Sequence, residues 1–140
     1  MRIALVHSNN HDIGGSDTVL LQMARAMIAA GHDIRIALSK RSSMWERYRQ
    51  LGIDVEIIPM PRISKARNPL VYVRWLFQTL VATVRLVRWL RQSPPELVFA
   101  NDFNELPALW AARLLRIPSV IVIRFFLDAP GLIRRSYISL

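Results

Sequence analysis

Residues 1–38, MRIALVHSNNHDIGGSDTVLLQMARAMIAAGHDIRIAL, contain the pattern that decides the fold. Short apolar runs at residues 3–6 and 34–38 flank a helical pattern over residues 16–30. Gly31 follows that pattern, as glycine commonly does where a helix ends. Two strand-like runs joined by a helix predict a right-handed βαβ unit with parallel strands.

The same alternation continues along the chain. Further helices are predicted at residues 44–51, at 69–91 and before 115, and further strands at 55–58, 97–100 and 120–123. We therefore expect one α/β domain over residues 1–140: a Rossmann-like, doubly wound parallel sheet of five strands in the order 3-2-1-4-5. The first, fourth and fifth predicted strands are apolar throughout, which predicts that both of their faces are buried. The second predicted strand contains Arg35, which predicts that it lies nearer an edge of the sheet.

Composition excludes several classes of protein. The chain is 52% hydrophobic and carries 19 Lys and Arg against 10 Asp and Glu, a net charge of +9. This hydrophobic content excludes disorder, and the absence of cysteine excludes a disulfide scaffold and a cysteine nucleophile. No targeting segment is visible, and Arg74, Arg85 and Arg88 interrupt the longest apolar region, so no membrane-spanning segment is predicted.

Ligands of doubly wound sheets bind beyond the carboxyl ends of the strands. At this edge, Gly14 and Gly15 join the first strand to the first helix, where a helix start offers unpaired N–H groups to a phosphate. The loop matches neither G-x-G-x-x-G nor a Walker motif. The alternative interpretation is a tight turn with Ser16 or Asp17 as the helix cap.

A basic stretch covers residues 61–92, with no acidic residue between Glu56 and Glu96. Its positive residues are Arg62, Lys65, Arg67, Arg74, Arg85, Arg88 and Arg91. A basic amphipathic helix with tryptophans suits an anionic membrane surface, but a helix that merely covers the sheet has the same pattern and is favoured for residues 69–91. Surface or polyanion contact is favoured for the preceding loop, and nucleic acid is a minor alternative because no nucleic-acid motif accompanies the charge.

Three residues near the predicted edge are candidates for catalysis: His11, Asp102 and Arg124. His7 and His11 flank the first loop, and an imidazole near Asp102 could form an acid–base pair with it. Capping of the next helix is the favoured role of Asp102, and a bond to the backbone remains an open alternative for His11. Arg124 follows a buried strand, where an arginine usually meets an anion or a carboxylate. No metal-binding pattern and no Ser/His/Asp triad is recognisable.

Several loose motifs occur in a specific order. They are GGSDTVLL at 14–21, MARA at 23–26, AGHDI at 30–34, LGIDV at 51–55, PELVFAN at 95–101 and AARLLRIP at 111–118. Together they resemble the N-terminal domain of family 4 glycosyltransferases of the GT-B fold. The resemblance implies a retaining transferase, often at the cytoplasmic membrane, that moves a sugar from a nucleotide-diphosphate donor to a lipid-linked or cell-envelope glycan.

The resemblance also implies roles for individual residues. Gly14, Gly15 and Ser16 would contact the donor diphosphate, without a cofactor or metal. Arg62, Lys65, Arg67 and Asn101 would contact the acceptor or an anionic membrane on its inner, cytoplasmic side.

Two departures from the family pattern bear on function. Phe99 and Arg124 stand where relatives often have histidine, and a second, donor-binding domain with a paired-glutamate motif is absent from these 140 residues. The chain alone is therefore expected to be inactive, as a fragment or as one half of a two-chain enzyme. The alternative function is a non-catalytic module that binds a membrane surface or a protein partner.

Overall fold

A computed structural model describes residues 1–8, 15–62 and 69–122 of the chain. The elements are β1 (Arg2–His7), α1 (Gly15–Ala29), β2 (Asp33–Leu38), α2 (Ser43–Gln50), β3 (Asp54–Ile57), α3 (Pro69–Gln92), β4 (Leu97–Ala100), a 3₁₀ turn (Phe103–Glu105), α4 (Leu106–Leu115) and β5 (Ser119–Ile121). Every strand and helix predicted from the sequence is present, with small differences at the ends.

All five strands are parallel and lie in the order β3-β2-β1-β4-β5, which confirms the predicted Rossmann-like topology. The central strand β1 pairs with both neighbours, so that Ile3 lies beside Ile34 of β2 and Leu97 of β4. The prediction that both faces of the fifth strand are buried is wrong, because β5 lies at an edge of the sheet and its Val120 is 45% exposed.

Side chains of β1 alternate between two cores, one on each face of the sheet. Ala4 and Val6 pack against α3 and α4, in a core that includes Leu86. Ile3 and Leu5 pack on the opposite face against α1 and α2. The continuous apolar run of β1 therefore reflects burial on both faces.

The predicted stop after the first helix is confirmed. Gly31 has a φ of 80°, a left-handed conformation that glycine adopts without strain. Its N–H donates to Ile28 O, and the next N–H, of His32, donates to Met27 O, which satisfies carbonyls at the end of α1. This turn lies at the amino end of β2, away from the predicted ligand edge, and has a structural role.

Helix α3 is less covered than a helix on a sheet usually is. Its buried face includes Ala82, Leu86 and Leu90, whereas Phe77 is 67% exposed and Val73 is 64% exposed. The described residues contain one helix, at 70–92, that is long and apolar enough to span a bilayer, and 22% of its most apolar window is buried. The sequence predicted that Arg74, Arg85 and Arg88 would prevent this segment from spanning a membrane, but by length and composition alone the helix qualifies.

Candidate functional site

The topology brings the ends of β1 and β4 together at the carboxyl edge of the sheet. The two strands are adjacent, and the N–H of Asn101, directly after β4, donates to Val6 O at 3.2 Å. Helix α1 begins at Gly15 on the chain that leaves β1. The last residue of β1, its neighbours after β4 and the first turn of α1 therefore meet at one place.

A buried cluster of charged side chains occupies that place. The imidazole of His7 has Nε2 at 2.9 Å from Oδ1 of Asp17 and Nδ1 at 3.3 Å from Oε1 of Glu105. The side-chain amide of Asn101 lies 3.2 Å from the same Nδ1. His7, Asp17 and Glu105 are each at most 3% exposed. We call these four residues the His7 cluster.

The carboxylate of Glu105 is the centre of the hydrogen bonds at this edge. It accepts the backbone N–H of Ser8 at 2.8 Å and that of Asp102 at 3.0 Å, and also the N–H of Asn101. Because it bonds to His7 as well, one side chain satisfies donors that follow two different strands. Burial of a carboxylate usually costs stability, and the several hydrogen bonds to the oxygens of Glu105 offset that cost.

The cluster favours a protonated imidazole. Burial by itself would lower the pKa of His7, but hydrogen bonds to Asp17 and Glu105 and the attraction of both carboxylates together raise it to about 9. Burial also raises the pKa of Glu105 above its usual range, against the opposing effects of His7 and the backbone N–H donors. At neutral pH His7 is therefore a cation.

A protonated imidazole with both nitrogens engaged cannot accept a proton from a substrate. Of the two imidazoles considered as partners of Asp102, His7 bonds Asp17 and Glu105 instead, and His11 lies outside the described residues. The cluster instead connects β1, the first turn of α1 and the turn before α4. We assign it a positioning role.

Two buried hydroxyl groups near this edge have no hydrogen-bond partner among the residues that the structure describes. They are Ser8 Oγ, on the residue after β1, and the Tyr48 hydroxyl on α2. Burial raises the pKa of Tyr48, and the carboxylate of Asp17 raises it further. Tyr48 is fully buried, so its unpaired hydroxyl is a local cost in the fold.

The start of α1 is close to the prediction but differs in one respect. Ser16 and Asp17 lie inside the first turn, which begins at Gly15, so neither precedes the helix as a cap. Asp17 points to the core and bonds His7 instead. Gly15 is exposed, its φ lies outside the left-handed region, and a Cβ added there would meet no atom within 4 Å. Neither packing nor backbone conformation requires a glycine at this position.

The remaining predicted site residues divide into two groups. Arg62 is exposed beyond the carboxyl end of β3, and Asp102 is half-buried after β4. Asn101 was expected to contact an acceptor or a membrane surface but is fully buried, because its amide packs against His7. Gly14, His11, Lys65, Arg67 and Arg124 lie outside the described residues.

Sequence analysis did not identify Asp17 and Glu105 as functional candidates. One local signal was present for Glu105, which stands three residues after Asp102 in the D-x-x-E spacing of a capping box. Nothing local indicated that Glu105 would also reach His7, since 98 residues separate them. Over residues 1–8, 15–62 and 69–122, no three acidic or histidine side chains are arranged to hold a metal ion.

The fold has relatives among solved structures. MurG of Acinetobacter baumannii superposes with a TM-score of 0.68 at 19% identity, over 98% of this chain and 38% of that one. A glycosyltransferase from Rickettsia africae gives a TM-score of 0.73 at 14% identity, over 99% and 34%. HepE of Anabaena, solved with UDP and glucose, gives 0.64 at 16% identity, over 99% and 34%.

These likenesses establish the fold, that of the N-terminal half of a GT-B glycosyltransferase, and the chain spans between a third and two-fifths of each relative's length. Comparison with curated protein sequences gave no match. The sequence model for the glycosyl transferase 4-like domain matches residues 14–139, nearly the whole chain. The chain therefore belongs to the glycosyl transferase 4-like domain family.

Proposed function

We propose that this chain is the acceptor-side domain of a retaining glycosyltransferase, which transfers a sugar from a nucleotide-diphosphate donor to a lipid-linked or cell-envelope glycan. Family membership supports sugar transfer, and UDP bound to the related HepE supports a nucleotide donor. The observation that carries the proposal is the His7 cluster, which fixes the start of α1 at the ligand edge of the sheet.

The cluster prepares the start of α1 for an anion. The first N–H groups of a helix lack partners within the helix, and the helix dipole adds positive potential there. An acidic residue in the same turn would repel a diphosphate. Asp17 is such a residue, but it is buried and paired with the cationic His7, so its charge is largely compensated.

We assign the stabilisation of the leaving diphosphate to the backbone N–H groups of Gly14, Gly15 and Ser16, helped by Arg124. Fixed donors aimed at developing negative charge lower the barrier without a proton transfer. This mechanism needs no base from the His7 cluster, and Asp102 and His11 remain candidates for contact with the acceptor. No metal or cofactor takes part in the proposed transfer.

The proposal is tested by calorimetry and turnover with UDP- and GDP-sugars. The 140-residue chain is compared with a chain extended downstream of Leu140. We expect donor turnover or hydrolysis by the extended chain only, with the anomeric configuration of the sugar retained in the product by NMR. A folded extended chain that neither transfers nor hydrolyses any donor would contradict the proposal.

Gly15→Ala tests the diphosphate site more directly, since an added methyl group meets no protein atom. We expect diphosphate binding by the extended chain to weaken about tenfold, the equivalent of one lost hydrogen bond. Stability should stay equal or rise by about 0.5–1 kcal/mol, because alanine is the better helix former. Gln22→Ala, on the exposed side of α1, is the control. Unchanged diphosphate binding by Gly15→Ala would exclude close approach at this residue.

A second candidate function is attachment to the inner face of the cytoplasmic membrane. The observation in its favour is the uncovered apolar surface of α3, where Phe77 is 67% exposed and Leu80 is 51% exposed. Arginines flank this surface, and each basic residue near an anionic membrane contributes about 1 kcal/mol.

This function predicts salt-sensitive binding of the 140-residue chain to vesicles that contain anionic lipid. We expect the change of Arg62, Lys65 and Arg67 to Gln to abolish binding, and Leu80→Ser to weaken it. Equal binding to neutral and anionic vesicles, or none to either, would refute it. Exposed Arg25 on α1 provides a charge-matched control, Arg25→Gln.

A further inference from the structure

The polar stripe of α3 lines a groove. Gln78, Arg85, Arg88 and Gln92 lie on the side of the helix that faces β3 and the chain after it. From Gln78 to Gln92 the helix rises about 21 Å, at 1.5 Å per residue. We call the space between this stripe and residues 56–61 the α3–β3 groove.

The groove consists of two adjoining cavities of different character. The first, of about 310 Å³, has apolar walls that include Pro59, Pro61, Phe77 and Val81. The second, of about 290 Å³, has a mixed lining: the polar and charged side chains of Glu56, Arg85, Arg88 and Gln92, and the apolar side chains of Ile57, Ile58 and Trp89. Arg85 lines both cavities and so marks the boundary between them.

The charge of the second cavity is not balanced. Two guanidinium groups stand against the single carboxylate of Glu56, and no acidic residue lies on α3. Within the part of the chain that the structure describes, Arg85 and Arg88 have no hydrogen bond or ion pair. Both arginines are exposed, and two cations that lack a partner among the described residues are complementary to an anionic group on this concave surface.

Trp89 forms part of the wall of the second cavity. It is 3% exposed, and its indole nitrogen is buried away from the cavity, so the ring offers a face and not a donor to a ligand. The ring is held from the sheet by Arg35, whose guanidinium carbon lies 4.8 Å from the ring centre and which is itself bonded to Asp54 at 3.0 Å. The wall of the second cavity is therefore fixed.

We propose that the α3–β3 groove is a binding site for a single-chain amphiphile with an anionic head group. The alkyl chain lies in the first cavity, against Phe77 and Val81, and the head group lies in the second, against Arg85 and Arg88. The two cavities together have the size and the mainly apolar, partly charged lining of small-molecule sites.

This site is distinct from the proposed site of sugar transfer. Pro59 and Pro61 follow the carboxyl end of β3, so the apolar cavity is the part of the groove nearer the ligand edge. Arg88 and Gln92 lie near the other end of α3, before β4 begins. The anionic head would therefore point away from the His7 cluster, and binding does not require glycosyl transfer.

The test uses the 140-residue chain and dodecyl phosphate below its micelle concentration. Binding is measured by calorimetry and by tryptophan fluorescence. We expect saturable binding of one molecule per chain, weakened about tenfold by Arg85→Gln, because a charge-assisted hydrogen bond is lost. Arg91→Gln is the matched control, since Arg91 lies on the same helix but does not line either cavity, and it should change affinity less than about twofold.

A second variant tests the apolar cavity. Val81 is 37% exposed, so Val81→Trp can fill the cavity without crowding the core, and we expect it to abolish binding while the circular dichroism stays unchanged. Dodecanol and inorganic phosphate, each lacking one half of the amphiphile, should bind much more weakly than dodecyl phosphate.

Three results would overturn the proposal. They are no saturable binding by the folded chain, equal losses for Arg85→Gln and Arg91→Gln, and dodecanol binding as tight as that of dodecyl phosphate. Binding only to vesicles, dependent on Leu80 and independent of Arg85, would assign the surface to a membrane instead. None of these measurements depends on sugar transfer, so their outcome is separate from that of the proposed function.

Discussion

Two regions depart from the usual distribution of side chains: the His7 cluster buries charged groups, and the outer surface of α3, which includes Val73, Phe77 and Leu80, exposes apolar ones. At the carboxyl edge of β1 and β4, the charged residues His7, Asp17 and Glu105 are almost completely buried. On α3, large apolar side chains such as Phe77 and Val73 are more than half exposed. Buried charge and a large exposed apolar patch both indicate a special role, because each costs stability unless other groups pair with the charge or cover the patch.

The difference between the two regions lies in where the compensation comes from. The buried charges are compensated inside the chain, by each other and by three backbone N–H groups. The apolar surface of α3 has no such internal partner among the described residues, and its compensation must come from outside them. The first region therefore stabilises one edge of the sheet, and the second is the surface for which binding is proposed.

The largest effect is expected from removing the centre of the His7 cluster. Glu105→Ala removes the acceptor that three backbone N–H groups and the buried imidazolium share, and we expect a loss of about 3–5 kcal/mol of unfolding free energy. Glu46→Ala, at an exposed position of α2, should change it by less than about 0.5 kcal/mol. Urea unfolding of both variants measures the difference, and equal losses would show that the cluster does not stabilise the edge.

The two sides of α3 can be compared with the same substitution. Leu86 is fully buried and Leu80 is 51% exposed. Leu86→Ala should cost about 2–5 kcal/mol through lost burial and a cavity, whereas Leu80→Ala should cost less than about 1 kcal/mol. A similar cost at both positions, in urea unfolding, would mean that the outer surface of α3 is covered in solution.

The charge of His7 predicts how stability depends on pH. Its pKa is raised from 6.5 to about 9 in the folded chain, so its contribution is complete below pH 6.5 and is lost as the pH rises through about 9. The expected loss is about 3 kcal/mol over this interval. The pKa of Glu105 is also raised, from 4.5, so this group too lowers the stability of the folded chain as the pH rises. Its effect begins at a lower pH than that of His7.

Unfolding free energies measured between pH 6 and 10 test this prediction. His7→Gln removes the titrating group and should flatten the curve across the interval. The groups that face His7 are Asp17, Glu105 and, through Asp17, Tyr48, so their variants provide a check on the assignment. Parallel curves for the wild type and His7→Gln would contradict a cationic His7.

The smallest effect concerns the unpaired hydroxyl beside the cluster. Tyr48→Phe removes a buried group that has no hydrogen-bond partner within the described part of the chain, and we expect stability to be unchanged or to rise by about 1 kcal/mol. Thermal unfolding measures this change. A loss of more than about 1 kcal/mol would show that the hydroxyl has a partner in solution, such as a water molecule bound to Asp17.

The sequence by itself determined the order of strands and helices and the strand order of the sheet. These follow from local features: short apolar runs, helical spacing, and Gly31 after the first helix. Local patterns are reliable here because each element buries a continuous face, and parallel βαβ units restrict the possible topologies. The same reasoning predicts a ligand at the start of α1, which follows the carboxyl end of β1.

Only the tertiary structure decided which charged groups meet and which surfaces stay uncovered. Glu105 reaches His7 across 98 residues because β1 and β4 are neighbours in the sheet, a relation that no local spacing contains. Likewise, the periodicity of α3 is the same whether its arginines face water or line a groove. Partner choice and exposure depend on the packing of distant segments, and that packing is decided by the fold as a whole.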